Sequence, residues 1–249
     1  MIRKLLLLSA VLVAAWHPAV ARPLVELSVI DRDSSQTLPE YTARGDTWVA
    51  GVPGHRYAVR LHNRSGERVL VVLSVDGVNA VSGQTADPSQ VGYVLAPWQA
   101  TEIVGWRKSL DSVAQFVFTD VPDAYASRTG RPDNVGVIGI AVFREQRRVW
   151  MPSAAPAPIA QARESRAKAA TADAAAPMRQ RIGTGHGARE SAPVGRTGFV
   201  RASRQPAQVT QLRYDDIEAL VAAGIVPAHG LHARPQAFPQ GFVADPPGG

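Results

Sequence analysis

The chain has 249 residues, a formal charge of +6 and no cysteine, which excludes disulfide stapling, structural cysteine-zinc sites and thiol catalysis together. The positive charge is mild and scattered, a poor match to nucleic acid. Stability must therefore come from a buried core.

At the N-terminus, Arg3 and Lys4 precede an uncharged, mostly apolar run from Leu5 to Trp16, and Ala19-Val20-Ala21 offers small residues where a signal peptidase reads them. A cleavable secretory signal over residues 1–21 is expected, leaving Arg22 as the mature N-terminus. The apolar run is shorter than the roughly 20 residues that cross a bilayer, and no later stretch reaches that length, so no transmembrane segment is expected. The mature protein is expected to be periplasmic or secreted, where an envelope protein or an anionic polymer suits a basic chain better than nucleic acid does.

From residue 22 to 151 the sequence reads as short runs rich in Val, Ile and aromatics, separated by Gly, Pro, Asp and Asn. Strands are expected at Leu24 to Ile30, Trp48 to Val52 and Tyr57 to His62. Val69 to Val75 is apolar on both faces and belongs at the centre of the fold. Asp76-Gly77 then signals a two-residue hairpin turn, with Val78 to Val81 returning. Further strands are expected at Gly92 to Leu95, Thr101 to Trp106, Gln115 to Thr119, Val135 to Arg144, where Gly136 and Gly139 suggest a bulge or a close backbone approach, and Arg148 to Met151. Many short strands without crossover helices point to a mainly β fold, an antiparallel immunoglobulin-like sandwich, with a closed barrel as the alternative.

Residues 152–182 change to Ala, Pro, Arg and Gln, a composition that cannot offset its ordering entropy by burial, and read as a flexible linker. Residues 183–227 read as a small β-β-α unit. Its strands are expected at Thr197 to Ala202 and Gln208 to Tyr214, and its helix is expected to be capped by Asp215 and ended by Gly224. Docking on the sandwich, or donation to a second copy as a homo-oligomer, would bury its small apolar content. Residues 228–249 read as a loose tail.

The blocks VLVVLSVDGVNAVSG (Val69 to Gly83), YVLAPWQATEIVGWRKS (Tyr93 to Ser109), YASRTGRPDNVGVIGIAVF (Tyr125 to Phe143), GTGHGARE (Gly183 to Glu190) and LRYDDIEALVAAGIV (Leu212 to Val226) together resemble a group of uncharacterised exported proteins of Gram-negative bacteria. The resemblance implies an envelope setting and one unit made from both ordered regions. It carries no functional residue over.

Candidate binding residues come from two places. The segment from Asp120 to Asn134 is long and polar, and sets Tyr125, Arg128 and Arg131 among Asp123 and Asp133, in a kind of loop that often carries function. An Asp/Arg network that merely fastens the loop is the alternative. Trp106 and Arg107, with Trp98 and Lys108 nearby, put aromatic faces beside positive charge, as carbohydrate or anionic head groups require, although tryptophan in a sandwich usually serves the core.

Gly183-Thr184-Gly185-His186-Gly187 lacks the strand, helix and lysine of a phosphate loop and reads as a turn. His229 and His232 lack partners to complete a metal site, Asp76, Asn79 and Asp87 do not follow a calcium-loop spacing, and no cofactor is expected. No serine stands in a nucleophile-elbow context. The expectation is a non-enzymatic envelope protein with a binding or structural role. A hydrolase of envelope glycan or cell-wall polymer, using His186 or the pair Asp120 and Asp123, is the alternative.

Overall fold

The structure, a computed structural model, describes residues 22–146 and 180–227. The expected signal over residues 1–21, the linker as far as residue 179, the strand at Arg148 to Met151 and the tail from residue 228 lie outside the described residues. Alternation decides the layers. On β1 (Val25–Asp31), Val25, Leu27 and Val29 are buried while Glu26 is exposed and Ser28 and Ile30 are half-buried.

After β1 the chain forms β2 (Gln36–Thr37), β3 (Glu40–Ala43), β4 (Asp46–Gly51), β5 (Arg56–Asn63) and β6 (Val69–Val75). It continues through β7 (Val78–Asn79), β8 (Tyr93–Leu95), β9 (Ala100–Ile103), β10 (Gly105–Arg107) and β11 (Ser112–Asp120). A short helix α1 (Tyr125–Arg128) leads to β12 (Val137–Arg144), and residues 180–227 supply β13 (Ile182–Ser191), β14 (Gln208–Asp216) and α2 (Ile217–Ala222).

Two seven-stranded sheets result, and the fold is mainly β. In the first, β11 pairs with β13, β10 and β5, while β5 also pairs with β9 and β1, and β1 with β2. The second runs β3-β4-β14-β12-β6-β7, with β8 also on β6. Every pair is antiparallel except β4 with β14. A single core takes side chains from both sheets, including Val59, Leu61, Phe116 and Phe118 from the first and Val71, Leu73, Ile138 and Leu212 from the second.

The chain from 183 to 227 does not close on itself as a β-β-α unit. β13 joins the first sheet and β14 the second, because each has an apolar face that completes the shared core, with Ile182 on one and Leu212 and Tyr214 on the other. Ile182, expected to end the linker, begins a strand. The glycine-rich run expected as a turn is half of that strand. Its alternation Ile182, Thr184, His186 against Gly183, Gly185, Gly187 is a period of two, and the glycines allow close approach: a Cβ on Gly183 would stand 2.5 Å from Val135 Cγ1 and 2.6 Å from Ala124 Cβ.

Residues 197–202 are not a strand. They belong to an extended strap over residues 192–207, in which the one β-bridge among the described residues joins Arg201 to Glu145. The strap covers Leu70, Val72, Ala141 and Phe143 on the outside of the second sheet, with Phe199 packed there and the Arg201 guanidinium 4.1 Å from the Phe143 ring centroid. Leu220, Ile225 and Val226, from α2 and the residues after it, cover Trp48 on the same sheet. Asp216 caps α2 by accepting from Ala219 N at 2.7 Å, one residue later than expected, because the Asp215 carboxylate accepts from Arg181 N at 3.1 Å and Ile182 N at 3.3 Å, where β13 begins.

The single run expected at Thr101 to Trp106 is divided. β9 pairs with β5 and β10 with β11, and Val104 between them gives its carbonyl to Phe116 N at 3.0 Å. No bulge forms at Gly139, since β12 keeps continuous register with both β6 and β14. The Asp76-Gly77 hairpin forms as expected, with φ of 51° and 72°.

Asp76 also serves the core. Its side chain has no exposed surface and accepts from Tyr214 Oη at 2.6 Å, Thr184 N at 2.7 Å and Gly136 N at 2.9 Å. Because Tyr214 donates to Asp76, the Thr184 hydroxyl donates to Tyr214 at 2.6 Å, and Tyr57 donates to Thr184 at 2.6 Å. The chain of hydroxyls runs from β5 and β13 in the first sheet to β14 and the β6-β7 turn in the second. Burial pushes the Asp76 carboxyl up to about 6 against the opposing pull of its Tyr214, Thr184 and Gly136 donors.

With the folded value raised, the stability linked to this group is fully present below its ordinary value of 3.8 and is lost as pH rises through about 6. Urea unfolding at pH 4 and pH 7 of the wild type and of Asp76→Asn, which holds the neutral form, tests this. The wild type should lose about 2 kcal/mol more than the variant between the two pH values. Equal losses would show that Asp76 does not titrate in the fold.

Candidate functional site

The segment after β11 is held down by small residues. Ala124 and Ala126 are buried, and Ala124 meets the bare backbone of Gly183, so α1 lies against β13. That placement brings the Tyr125 ring to 4.9 Å from Trp106 and 5.6 Å from His186, centroid to centroid, with His186 nearly parallel to Trp106 at 6.4 Å. Arg131 folds over Tyr125 at 5.9 Å and donates to the Gly83 carbonyl at 3.3 Å and to Thr129 Oγ1 at 2.9 Å. Trp106 is only 2 % exposed and packs edge-on to Phe116 at 4.8 Å, so its main service is to the core, and its indole N–H is buried without a hydrogen-bond partner among the described residues.

Of the sequence-predicted residues, Trp106, Tyr125 and Arg131 therefore come together. Arg128 stands exposed beside them, close enough to His186 to act on its charge. Arg107 does not join the group, because neighbours on a strand point to opposite faces. It donates instead to the Ala192 and Leu110 carbonyls.

His186, expected in a turn or as a residue of the alternative hydrolase, stands on β13 at the centre of this end of the molecule. Its pKa is lowered from the ordinary 6.5, first by partial burial and then by the positive charges of Lys108, Arg189 and Arg128. Among the described residues no carboxylate orients it. Glu190, four residues on, is held by Arg32 at 2.7 and 2.8 Å and by Gln115 at 2.7 Å. Aromatic faces flank the imidazole, and the charges of Lys108, Arg189 and Arg128 act on it.

Asp31, Asp33 and His55 place ligand atoms within 4.8 Å of one another, a grouping the sequence reading did not find. Their polar atoms already have protein partners. Asp31 meets His55 Nδ1 at 2.7 Å and accepts from Asp33 N and Ser34 N at 2.8 and 2.9 Å, and Asp33 accepts from Arg56. Burial raises the Asp31 carboxyl, but the His55 and backbone hydrogen bonds prevail and lower it. The arrangement fastens the turn after β1. Asp76 and Asn79 are buried and Asp87 bonds Ser89, so these three serve turns as well.

A cleft of about 870 Å³ opens between β8, the turn after β10 and residues 193–197 of the strap. Arg107, Lys108 and Arg196 line it, and none of its lining residues is acidic. Lys108 is shared between the cleft and the surroundings of His186. The sequence signal for this cleft was weak, since Tyr93, Arg107 and Arg196 are far apart along the chain. Among the described residues, no helix is long and apolar enough to cross a membrane. No protein-family model, curated protein or solved structure matches the chain.

The cationic surroundings of His186 can be measured directly. In an NMR titration its imidazole should turn over below 6.5, and Lys108→Gln combined with Arg128→Gln should move it upward. An unmoved titration in the double variant would mean that these charges do not converge there.

Proposed function

We propose that the mature protein is an exported, non-enzymatic binding protein of the bacterial envelope that engages an anionic polymer through the end of the sheets where the buried Trp106 backs Tyr125, Arg128, Arg131 and His186. One observation carries the reading. Lys108, Arg128 and Arg189 gather around His186 and make no ion pair among the described residues. Elsewhere Arg32 pairs with Glu190, Arg56 with Asp33, Arg68 with Glu145, Arg144 with Glu67 and Arg213 with Asp46.

Like charges held together repel one another, and an anionic partner converts that cost into affinity. The half-buried Tyr125 and the exposed His186 add flat faces on which polymer rings can stack. The body that positions them is, in this reading, an immunoglobulin-like sandwich, supported by the one core that both sheets share. Its expected setting in the periplasm or outside the cell agrees with an abundance of anionic polymer.

Retention on immobilised polygalacturonate tests the proposal. The wild type should be retained at ~0.1 M salt and elute as screening grows, and Lys108→Glu with Arg128→Glu and Arg189→Glu should lose roughly tenfold or more in affinity. The Arg60→Glu control, an exposed cation on β5, should elute as wild type does. A triple variant with an unchanged circular dichroism spectrum and undiminished retention would remove this surface from the account.

A further inference from the structure

We propose that the cleft beside β8 is a separate binding site for a single-chain amphipathic anion, an acyl chain with a carboxylate or phosphate head. The inference goes beyond the polymer surface, because neither Arg128 nor Arg189 lines the cleft.

The apolar half of the site is visible in what the fold leaves exposed. Seven large hydrophobic side chains among the described residues are exposed, and three of them line this cleft: Val91 at 59 %, Leu110 at 42 % and Val194 at 38 %. Such clustering marks a surface that something apolar covers. The charged half is equally one-sided, with Arg107, Lys108 and Arg196 and no acid. Arg107 lies against Tyr93 and already donates to the Ala192 and Leu110 carbonyls, so Lys108 and Arg196 are the lining cations left to meet a ligand. A head with several acceptor oxygens can take a charge-assisted hydrogen bond from each of them.

The walls are built before any ligand arrives. Ala192 N donates to Asp111 O and Val194 N to Leu110 O, both at 2.8 Å, which pins the strap. On the facing side the buried Asn79 amide donates to the Val91 carbonyl at 3.1 Å and to Gln90 Oε1 at 2.9 Å. A recess of this volume lies in the range of ordinary ligand pockets. A walled recess accepts one chain end, whereas a membrane surface calls for a flat or convex face.

The experiment is calorimetric titration and amide NMR of the full mature chain with sodium decanoate, decyl phosphate, decanol, inorganic phosphate and phosphatidylglycerol vesicles. Decanoate or decyl phosphate should bind at one site, with shifts confined to residues 91–95, 107–110 and 194–197. Decanol and inorganic phosphate should each bind roughly tenfold more weakly or worse, since each lacks one half of the ligand. Arg196→Glu, at an exposed position, should weaken decanoate about tenfold with the fold intact, and Arg196→Lys should restore most of it. Decanol binding as tightly as decanoate, binding to vesicles alone, shifts elsewhere on the molecule, or full affinity in Arg196→Glu would each overturn the proposal. Arg128→Glu should leave decanoate binding unchanged, so loss of polymer retention and loss of chain binding are separate failures.

Discussion

A carboxylate with no exposed surface must find donors on every side, and Asp76 draws them from three separate stretches of chain. Gly136 N comes from the entry to β12, Thr184 N from β13 and the Tyr214 hydroxyl from β14, while Thr184 relays the connection to Tyr57 on β5. Removing any one donor strands a buried polar group, which is costly in a low-dielectric interior. Apolar packing between the sheets is tolerant of small slips. The hydroxyl chain is not, and it sets the position of each strand it touches.

The functional end inherits that constraint. Thr184 is fixed by Asp76 and Tyr57, and His186 lies two residues along the same strand, so its imidazole is brought to Trp106 and Tyr125 without a loop having to hold it. Gly183 next to Thr184 lets Ala124 approach, which seats α1 and aims Tyr125. The same strand then leads into the strap, whose bonds to Leu110 and Asp111 form one wall of the cleft. A polar anchor in the core thus governs two surfaces that it does not itself reach.

Much of this was legible residue by residue. Val69 to Val75 is apolar on both faces, and β6 has those bounds and is buried on nearly all of its length. Asp76-Gly77 has the chemistry of a positive-φ turn and forms one. Tyr125, Arg131 and Trp106 were picked out for their types, and they meet. The miss at Gly183 to Gly187 has a physical cause: glycine normally weakens a strand, and here the lost propensity is offset by neighbours that only glycine admits. That compensation comes from Ala124, Val135 and Thr119, none of which is near in sequence. Thr197 to Ala202 fails in the opposite direction, with strand-like residues of which Phe199 packs on Phe143 and its neighbours from outside a sheet while Val200 stays exposed.

By itself the sequence determined the class of fold, most strand positions and the absence of any covalent staple, because alternation and turn chemistry act over a few residues. Tertiary structure alone decided that β13 and β14 part into different sheets, that Arg107 leaves its neighbour Trp106 for a different surface, and that the charges of Lys108, Arg128 and Arg189 act on one imidazole. The reason is range. Periodicity tells each strand which side to bury, but the choice of partner depends on the burial of Asp76 and its donors, and that demand is felt only when distant segments meet.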